Sequence, residues 1–294
     1  MPGSRDKPLV SILTPSLNQG RFLAECIASI DRQTYRPIEH VICDGGSTDE
    51  TLAILGGAPA QVCWVSEPDR GQADAVNKAY RASSGEIVGW INSDDALFAV
   101  DTLEAVVRRF SDDPQVDAVV GDAALAREDG LIVRHHRSYL PRRRRLPRYS
   151  SPVSQPALFF RRGVIGDREP LVRSDLSVTL DLELVLRLLD RGARIAWIGR
   201  VLALDRDHSE RKMRRMREVY ETEAAALREE YGYRLDPLLL ERALAWQRRL
   251  RGVAAVWSWS RYEPAASWRV DGRPRRLARQ LFTPHFRAME RAAR

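Results

Sequence analysis

Over its first third the chain alternates short apolar runs with amphipathic stretches, and this alternation constrains its fold more than any other feature. Leu9-Val-Ser-Ile-Leu-Thr14, closed by Pro15, is apolar enough for a strand buried on both faces. Ile38-Glu-His-Val-Ile-Cys43, Gln61-Val-Cys-Trp-Val65 and Glu86-Ile-Val-Gly-Trp-Ile91 repeat that signal. Between the runs, Phe22, Leu23, Ile27 and Ile30 recur at helical spacing, and further helices are expected over 51–55, 74–82 and 102–110. Ser47-Thr-Asp-Glu50 and Asp101-Thr-Leu-Glu104 have capping-box spacing and predict two of the helix starts. Strands joined by single helices imply an α/β domain built on a largely parallel sheet.

After Val116-Asp-Ala-Val-Val120 the pattern loosens. The basic, Pro-containing stretch 134–148 reads as a solvated loop, and Ala157-Leu-Phe-Phe160 as a strand. A helix over 180–189 carries Leu182, Val185, Leu186 and Leu189 on one side. Arg194-Ile-Ala-Trp-Ile198 and Val201-Leu-Ala-Leu204 predict two short strands. From Glu210 the chain reads as helical, with breaks at Pro237, Pro264 and Pro284. Cys26, Cys43 and Cys63 lack C-x-x-C spacing and sit among apolar neighbours, which predicts buried reduced thiols. The longest uncharged run, 51–66, contains Gly56, Gly57 and Pro59 and is no membrane span. The first residues carry no apolar signal core, so a cytoplasmic location is expected.

Charge is unevenly spread. The net +7 rests on 47 basic residues, of which only Lys7, Lys78 and Lys212 are lysines. From Arg242 onward, thirteen arginines face Glu263, Asp271 and Glu290, so the tail carries +10 and the preceding 241 residues −3. The basicity therefore concerns what the tail meets, not the reaction.

In open α/β sheets, ligands bind beyond the carboxyl ends of the strands. Those ends here are Thr14-Pro-Ser-Leu-Asn18, Asp44-Gly-Gly, Glu67-Pro-Asp-Arg-Gly71 and Asn92-Ser-Asp-Asp95, and three of the four deliver carboxylates. Several acids on one rim call for a metal ion or a donor-rich ligand. Asp94-Asp95 suits Mg²⁺ or Mn²⁺, and equally a turn in which the side chains bond their own backbone. Asp44 is either a nucleotide contact or a Gly-rich turn residue, while Ser47 and Asp49 are adequately explained as caps. Asp181 fits a helix first turn through the dipole alone, or a general base at the crevice edge. His208 is either a metal or phosphate ligand or a surface histidine. The chain has no G-x-G-x-x-G after the first strand, no G-x-x-x-x-G-K-[ST], no H-E-x-x-H and no G-x-S-x-G. Dinucleotide-dependent dehydrogenases, P-loop NTPases and nucleophilic hydrolases of those types are thereby excluded.

Val10-Ser-Ile-Leu-Thr-Pro-Ser-Leu-Asn18, Gln33-Thr-Tyr35, Asp44-Gly-Gly-Ser-Thr-Asp49, Glu67-Pro-Asp-Arg-Gly-Gln-Ala-Asp74 and Gly89-Trp-Ile-Asn-Ser-Asp-Asp95, in that order, resemble the family 2 glycosyltransferases. These are inverting enzymes of the GT-A fold, and the likeness extends from about Leu9 to His208 through Gln155, Phe159-Phe-Arg-Arg162 and Asp181-Leu-Glu-Leu-Val-Leu-Arg187. The resemblance implies a nucleotide-binding first loop at Pro15 and Asn18 and a base-binding acid at Asp44. It places Asp69, Arg70, Asp74, Asn77 and Gln155 at the donor. It makes Asp94 and Asp95 a DxD-type motif with Asp95 on the metal, His208 a late metal or diphosphate ligand, and Asp181 the catalytic base. Two departures stand out, Asn-Ser-Asp-Asp at the metal motif and Val76 where many relatives carry Arg. A Mn²⁺ or Mg²⁺ cofactor, a nucleotide-sugar donor (UDP by default) and a saccharide or lipid-linked acceptor are what the family implies, as in polysaccharide or glycolipid synthesis.

The expected division is a GT-A domain over 1–208 and a basic helical extension over 209–294. In that extension Trp246, Trp257, Trp259 and Trp268 interleave with arginines, a pattern that fits an anionic membrane surface, or a layer packed on the domain or on a second subunit of a homodimer. A sugar-1-phosphate nucleotidyltransferase would need a Gly-rich basic loop after the first strand, which is absent. A nucleic-acid partner suits the tail but not the acidic rim, so none is expected.

Overall fold

The structure, a computed structural model, describes residues 7–128, 131–140, 145–146, 151–166 and 170–235. The elements run β1 (Val10–Ser16), α1 (Gly20–Asp31), β2 (Ile38–Asp44), α2 (Thr51–Gly56), β3 (Val62–Ser66), α3 (Gln72–Ala82), β4 (Ile87–Trp90), β5 (Ala96–Leu97) and α4 (Thr102–Asp112). They continue with β6 (Ala118–Arg127), β7 (Ile132–His136), β8 (Arg145–Leu146), β9 (Leu158–Arg161), α5 (Leu180–Asp190), β10 (Ile195–Asp207), α6 (Lys212–Arg215), α7 (Arg217–Glu230) and β11 (Arg234–Leu235).

Among the described residues nine strands form one mixed sheet in the order β3-β2-β1-β4-β9-β6-β10-β5, with β7 added to the far end of β6. The first four strands are parallel, as the sequence alternation requires. β9 runs antiparallel between β4 and β6, and β6 runs parallel to β10. The carboxyl ends of β1, β2, β3, β4, β6 and β10 therefore share one rim with the amino end of β9. Side chains alternate across the sheet with the strand period of two: Val10 and Ile12 pack with α1 and α4, while Leu13 packs with α3 and α5. Gly89 lets β9 approach, since a Cβ there would lie 2.5 Å from the Phe159 ring.

Several local readings are corrected. Neither capping box forms: Ser47 turns back to Asp44, and Asp101 accepts from Arg200 at 2.8 Å. At α2 it is Asp49, inside the box, that accepts from Thr51 N at 3.1 Å, and the starts of α1 and α4 are capped from a distance. Asp49 Oδ2 accepts from Gly20 N at 2.9 Å and Gln33 Oε1 from Leu103 N at 3.0 Å. Cys26 and Cys43 are buried, but Cys63 is exposed because β3 ends the described sheet. Within the expected 134–148 loop, Arg134, His135 and His136 belong to β7. The two short strands expected at 194–204 are one strand, β10, with register shifts around Gly199 (φ 66°).

α7 packs on α5 through Tyr220, Ala224 and Leu227 against Leu182 and Leu186. Among the described residues no helix is long and apolar enough to cross a membrane. The tryptophan- and arginine-rich tail lies outside the described residues.

Candidate active site

The shared rim encloses a cleft of about 700 Å³. Of the residues singled out from sequence, Pro15, Asp69, Asp94, Asp95, Gln155, Asp181 and His208 line it. Asn18, Asp44, Arg70, Asp74 and Asn77 stand behind or beside it.

Pro15 lies in the last two residues of β1, and the chain turns on Asn18, whose φ of 52° is one that asparagine tolerates better than most residues. Asn18 N donates to Ser47 Oγ at 2.7 Å and Thr48 N donates to Asn18 Oδ1 at 2.9 Å, which stitches the first two rim loops together. Asp44 is buried, and its carboxylate accepts from Gly46 N, Ser47 N, Ser47 Oγ and Ser66 Oγ. Asp69 accepts from Gly71 N at 2.7 Å, where φ of 106° demands glycine before α3. Arg70 points into solvent, and Asp74 joins it to Lys78 through ion pairs along α3. Asn77 is a structural clamp: Nδ2 donates to Val172 O at 2.8 Å, and Val172 N donates to Oδ1 at 3.0 Å.

The turn after β4 is held from three sides. Asn92 Nδ2 donates to Gln155 Oε1 at 2.9 Å and to Asp95 Oδ2 at 3.3 Å, and Gln155 Nε2 donates to Trp90 O. Asp95 Oδ1 accepts from Arg206 N at 3.1 Å. Burial, then the charges of Asp94 and Asp205, push the Asp95 carboxyl well above the usual range. His208, at the end of β10, faces Asp94: Nε2 lies 2.8 Å from Asp94 Oδ2. Its ring packs 5.1 Å from Phe22, and Arg21 lies 3.4 Å from Nδ1.

Asp94 and His208 suit a divalent cation. Ligands at right angles on an octahedral ion, each at about 2.1 Å, stand about 3 Å apart, and this carboxylate–imidazole pair has that spacing. Among the described residues no group of three or more His, Cys, Asp and Glu could enclose an ion. An ion here would take its remaining ligands from water and substrate phosphate, the usual division for Mg²⁺. The geometry pairs His208 with Asp94, while Asp95 Oδ1 accepts from the backbone of β10 and its Oδ2 from Asn92.

Asp181 sits in the first turn of α5 and lines the cleft. Burial raises its carboxyl to about 6, against the backbone N–H groups of Leu182 and Asp181 and the Ser151 hydroxyl. A carboxylate with that pKa takes up a proton near neutrality, as a general base must.

Sequence reading missed four side chains that build this site. Arg206, 3% exposed, donates to Asp94 O at 3.0 Å and pairs with Glu25 at 2.6 Å. Lys212 spans the cleft edge, donating to Gln72 Oε1 at 3.0 Å and Ser177 O at 2.9 Å. Arg211 pairs with Asp205 at 2.7 Å. Glu223 on α7 accepts from Ser177 N, Val178 N, Thr179 N and Thr179 Oγ1, capping the helix that carries Asp181. The charged cluster around His208, Asp205-Arg-Asp-His-Ser-Glu-Arg-Lys212, was the one local signal for the first three.

The model of glycosyl transferase family 2 matches residues 11–167. A PGL/p-HBAD biosynthesis glycosyltransferase of Mycobacterium tuberculosis is 32% identical over 169 residues, 55% of this chain and 63% of the relative. The chain thus spans under two thirds of that relative's length. Chondroitin synthase of Escherichia coli is 36% identical over 129 residues, 42% of this chain and 19% of the relative. The mannosyltransferase PcManGT of Pyrobaculum calidifontis, solved with GDP-Man and Mn²⁺, superposes with a TM-score of 0.57 at 22% identity, over 87% of this chain and 73% of that one. TarS of S. aureus, solved with UDP-GlcNAc, gives 0.55 at 18% identity over 70% and 60%. These likenesses show a GT-A fold.

Proposed function

The chain belongs to glycosyl transferase family 2, and on that premise we propose that it moves a sugar from a nucleotide-sugar donor to an acceptor hydroxyl with inversion, in polysaccharide or glycolipid synthesis. One observation carries this reading. A partly buried carboxylate tuned to about 6, Asp181, shares one cleft with an Asp94–His208 pair spaced for a divalent cation.

The nucleotide would lie over the ends of β1, β2 and β3, against Pro15 and Asp69, with its diphosphate toward Asp94 and His208. Those two would hold Mn²⁺ or Mg²⁺, which when bound supplies positive charge to a departing diphosphate. Asn92, Gln155 and Arg206 keep the turn rigid, so the carboxylates need no reorganisation during reaction. Asp181 accepts the proton of the attacking hydroxyl, a role typically worth about 10²- to 10⁴-fold. A single displacement needs one base on the acceptor side, hence inversion. The solved neighbours hold UDP-GlcNAc and GDP-Man, which supports a nucleotide-sugar donor with UDP the first choice. The relatives named for PGL/p-HBAD biosynthesis and chondroitin synthesis support a saccharide or lipid-linked acceptor. Calorimetric titration of UDP-, GDP- and dTDP-sugars, with and without Mn²⁺, tests the reading. At least one donor should bind at least tenfold more tightly with Mn²⁺, and failure of all of them contradicts it.

A further inference from the structure

Among the described residues, four buried side-chain atoms that line the cleft lack a hydrogen-bond partner: Ser16 Oγ, Gln19 Oε1, Ser154 Oγ and Tyr220 Oη. The first three lie within the segment that the family model matches, and Tyr220 comes from α7, beyond it. Its position follows from packing. α7 lies on α5 with Tyr220 against Leu182 and Leu186, so the phenol stands at the α5 turn that carries Asp181. The charge of Asp181 reaches it, adding to burial in pushing the phenol up. A phenol in a core normally finds a partner, because leaving a buried hydroxyl unpaired costs free energy. Phenylalanine would fill the same space without that cost, so the hydroxyl calls for a partner that none of the described residues provides.

We propose that Tyr220 is an acceptor-binding residue, whose hydroxyl takes its missing hydrogen bond from a saccharide acceptor seated beside Asp181. This rests on the glycosyl transfer proposed above. The aromatic ring offers an apolar wall and its hydroxyl a polar end, a combination that suits a sugar ring edged with hydroxyls. Reaching Oη takes a small shift of the wall, of the kind side chains make when a ligand enters. Ser154, on the same cleft, is a second hydroxyl available to such a ring.

Tyr220→Phe in the full chain is the test, followed by melting temperature and by nucleoside diphosphate release from the donor. Water serves as one acceptor, and a set of p-nitrophenyl glucosides, galactosides and mannosides as the others. The variant should melt at or above the wild type and hydrolyse donor within about twofold of it, while stimulation by the glycosides falls at least tenfold through acceptor KM. Equal stimulation of both proteins overturns the proposal, as does a lower melting temperature with hydrolysis reduced in step. A shifted pH midpoint of hydrolysis overturns it too, because Tyr220 would then act through Asp181. Donor hydrolysis that no glycoside stimulates in the wild type rejects the saccharide acceptor. Absence of both donor binding and hydrolysis from the wild type contradicts the proposed transfer itself.

Discussion

His208 Nε2 lies 2.8 Å from Asp94 Oδ2, joining the end of β10 to the turn after β4 across 114 residues of sequence. Two loops from different parts of the sheet thus present one nitrogen and one oxygen to the same point. Removing either should weaken cation-dependent donor binding while the fold survives. Asp94→Asn and His208→Ala are each expected to raise the Mn²⁺ concentration for half-maximal donor binding by about 10- to 100-fold. Asp95→Asn should instead have a smaller effect on Mn²⁺, because its oxygens bond Arg206 N and Asn92.

The raised carboxyl of Asp181 makes two predictions of opposite sign. As the base it must be ionised, so turnover should rise about tenfold per pH unit up to about 6 and then level. For stability the order reverses. Its folded-state pKa exceeds the unfolded value, so its contribution is fully present below the unfolded pKa and is lost as pH rises through about 6. Asp181→Asn should therefore stabilise the fold at pH 8 by about 3 kcal/mol and hardly at all at pH 4, measured by urea unfolding at both values.

Glu223 ties α7 to the start of α5 through three backbone N–H groups and the Thr179 hydroxyl. Glu223→Ala leaves those donors without their carboxylate and should cost about 2–3 kcal/mol. Because α5 carries Asp181, turnover should fall about tenfold while donor affinity holds. Parallel loss of donor affinity would mean that the whole cleft depends on this cap.

Asn77 aligns with the donor segment, yet both ends of its amide bond Val172. Asn77→Ala should destabilise the fold by about 1–3 kcal/mol and leave donor affinity within about threefold. A large loss of donor affinity at unchanged stability would restore it to the donor pocket.

The four parallel strands and the acidic rim were legible because a strand buried on both faces must be apolar throughout and a helix must alternate. Asp181 was legible as a first-turn residue of α5, though its burial was not. Cys63 misled because an apolar run does not show that its sheet stops there. β10 looked like two strands because the irregularity around Gly199 interrupts the alternation without ending the strand. The α4 cap was misread because its acceptor, Gln33, comes from another part of the chain, whereas Asp49 caps α2 from inside the box and α1 besides. Tyr220 and Glu223 belong to no local motif, and only the packing of α7 brings them to the cleft.

Asp181→Asn tests the central claim most directly, with donor affinity and transfer measured on the same protein at pH 8. The predicted result is donor binding within about twofold of wild type and turnover reduced at least about 10³-fold. Substantial turnover in that variant would contradict the assignment of Asp181 as the base.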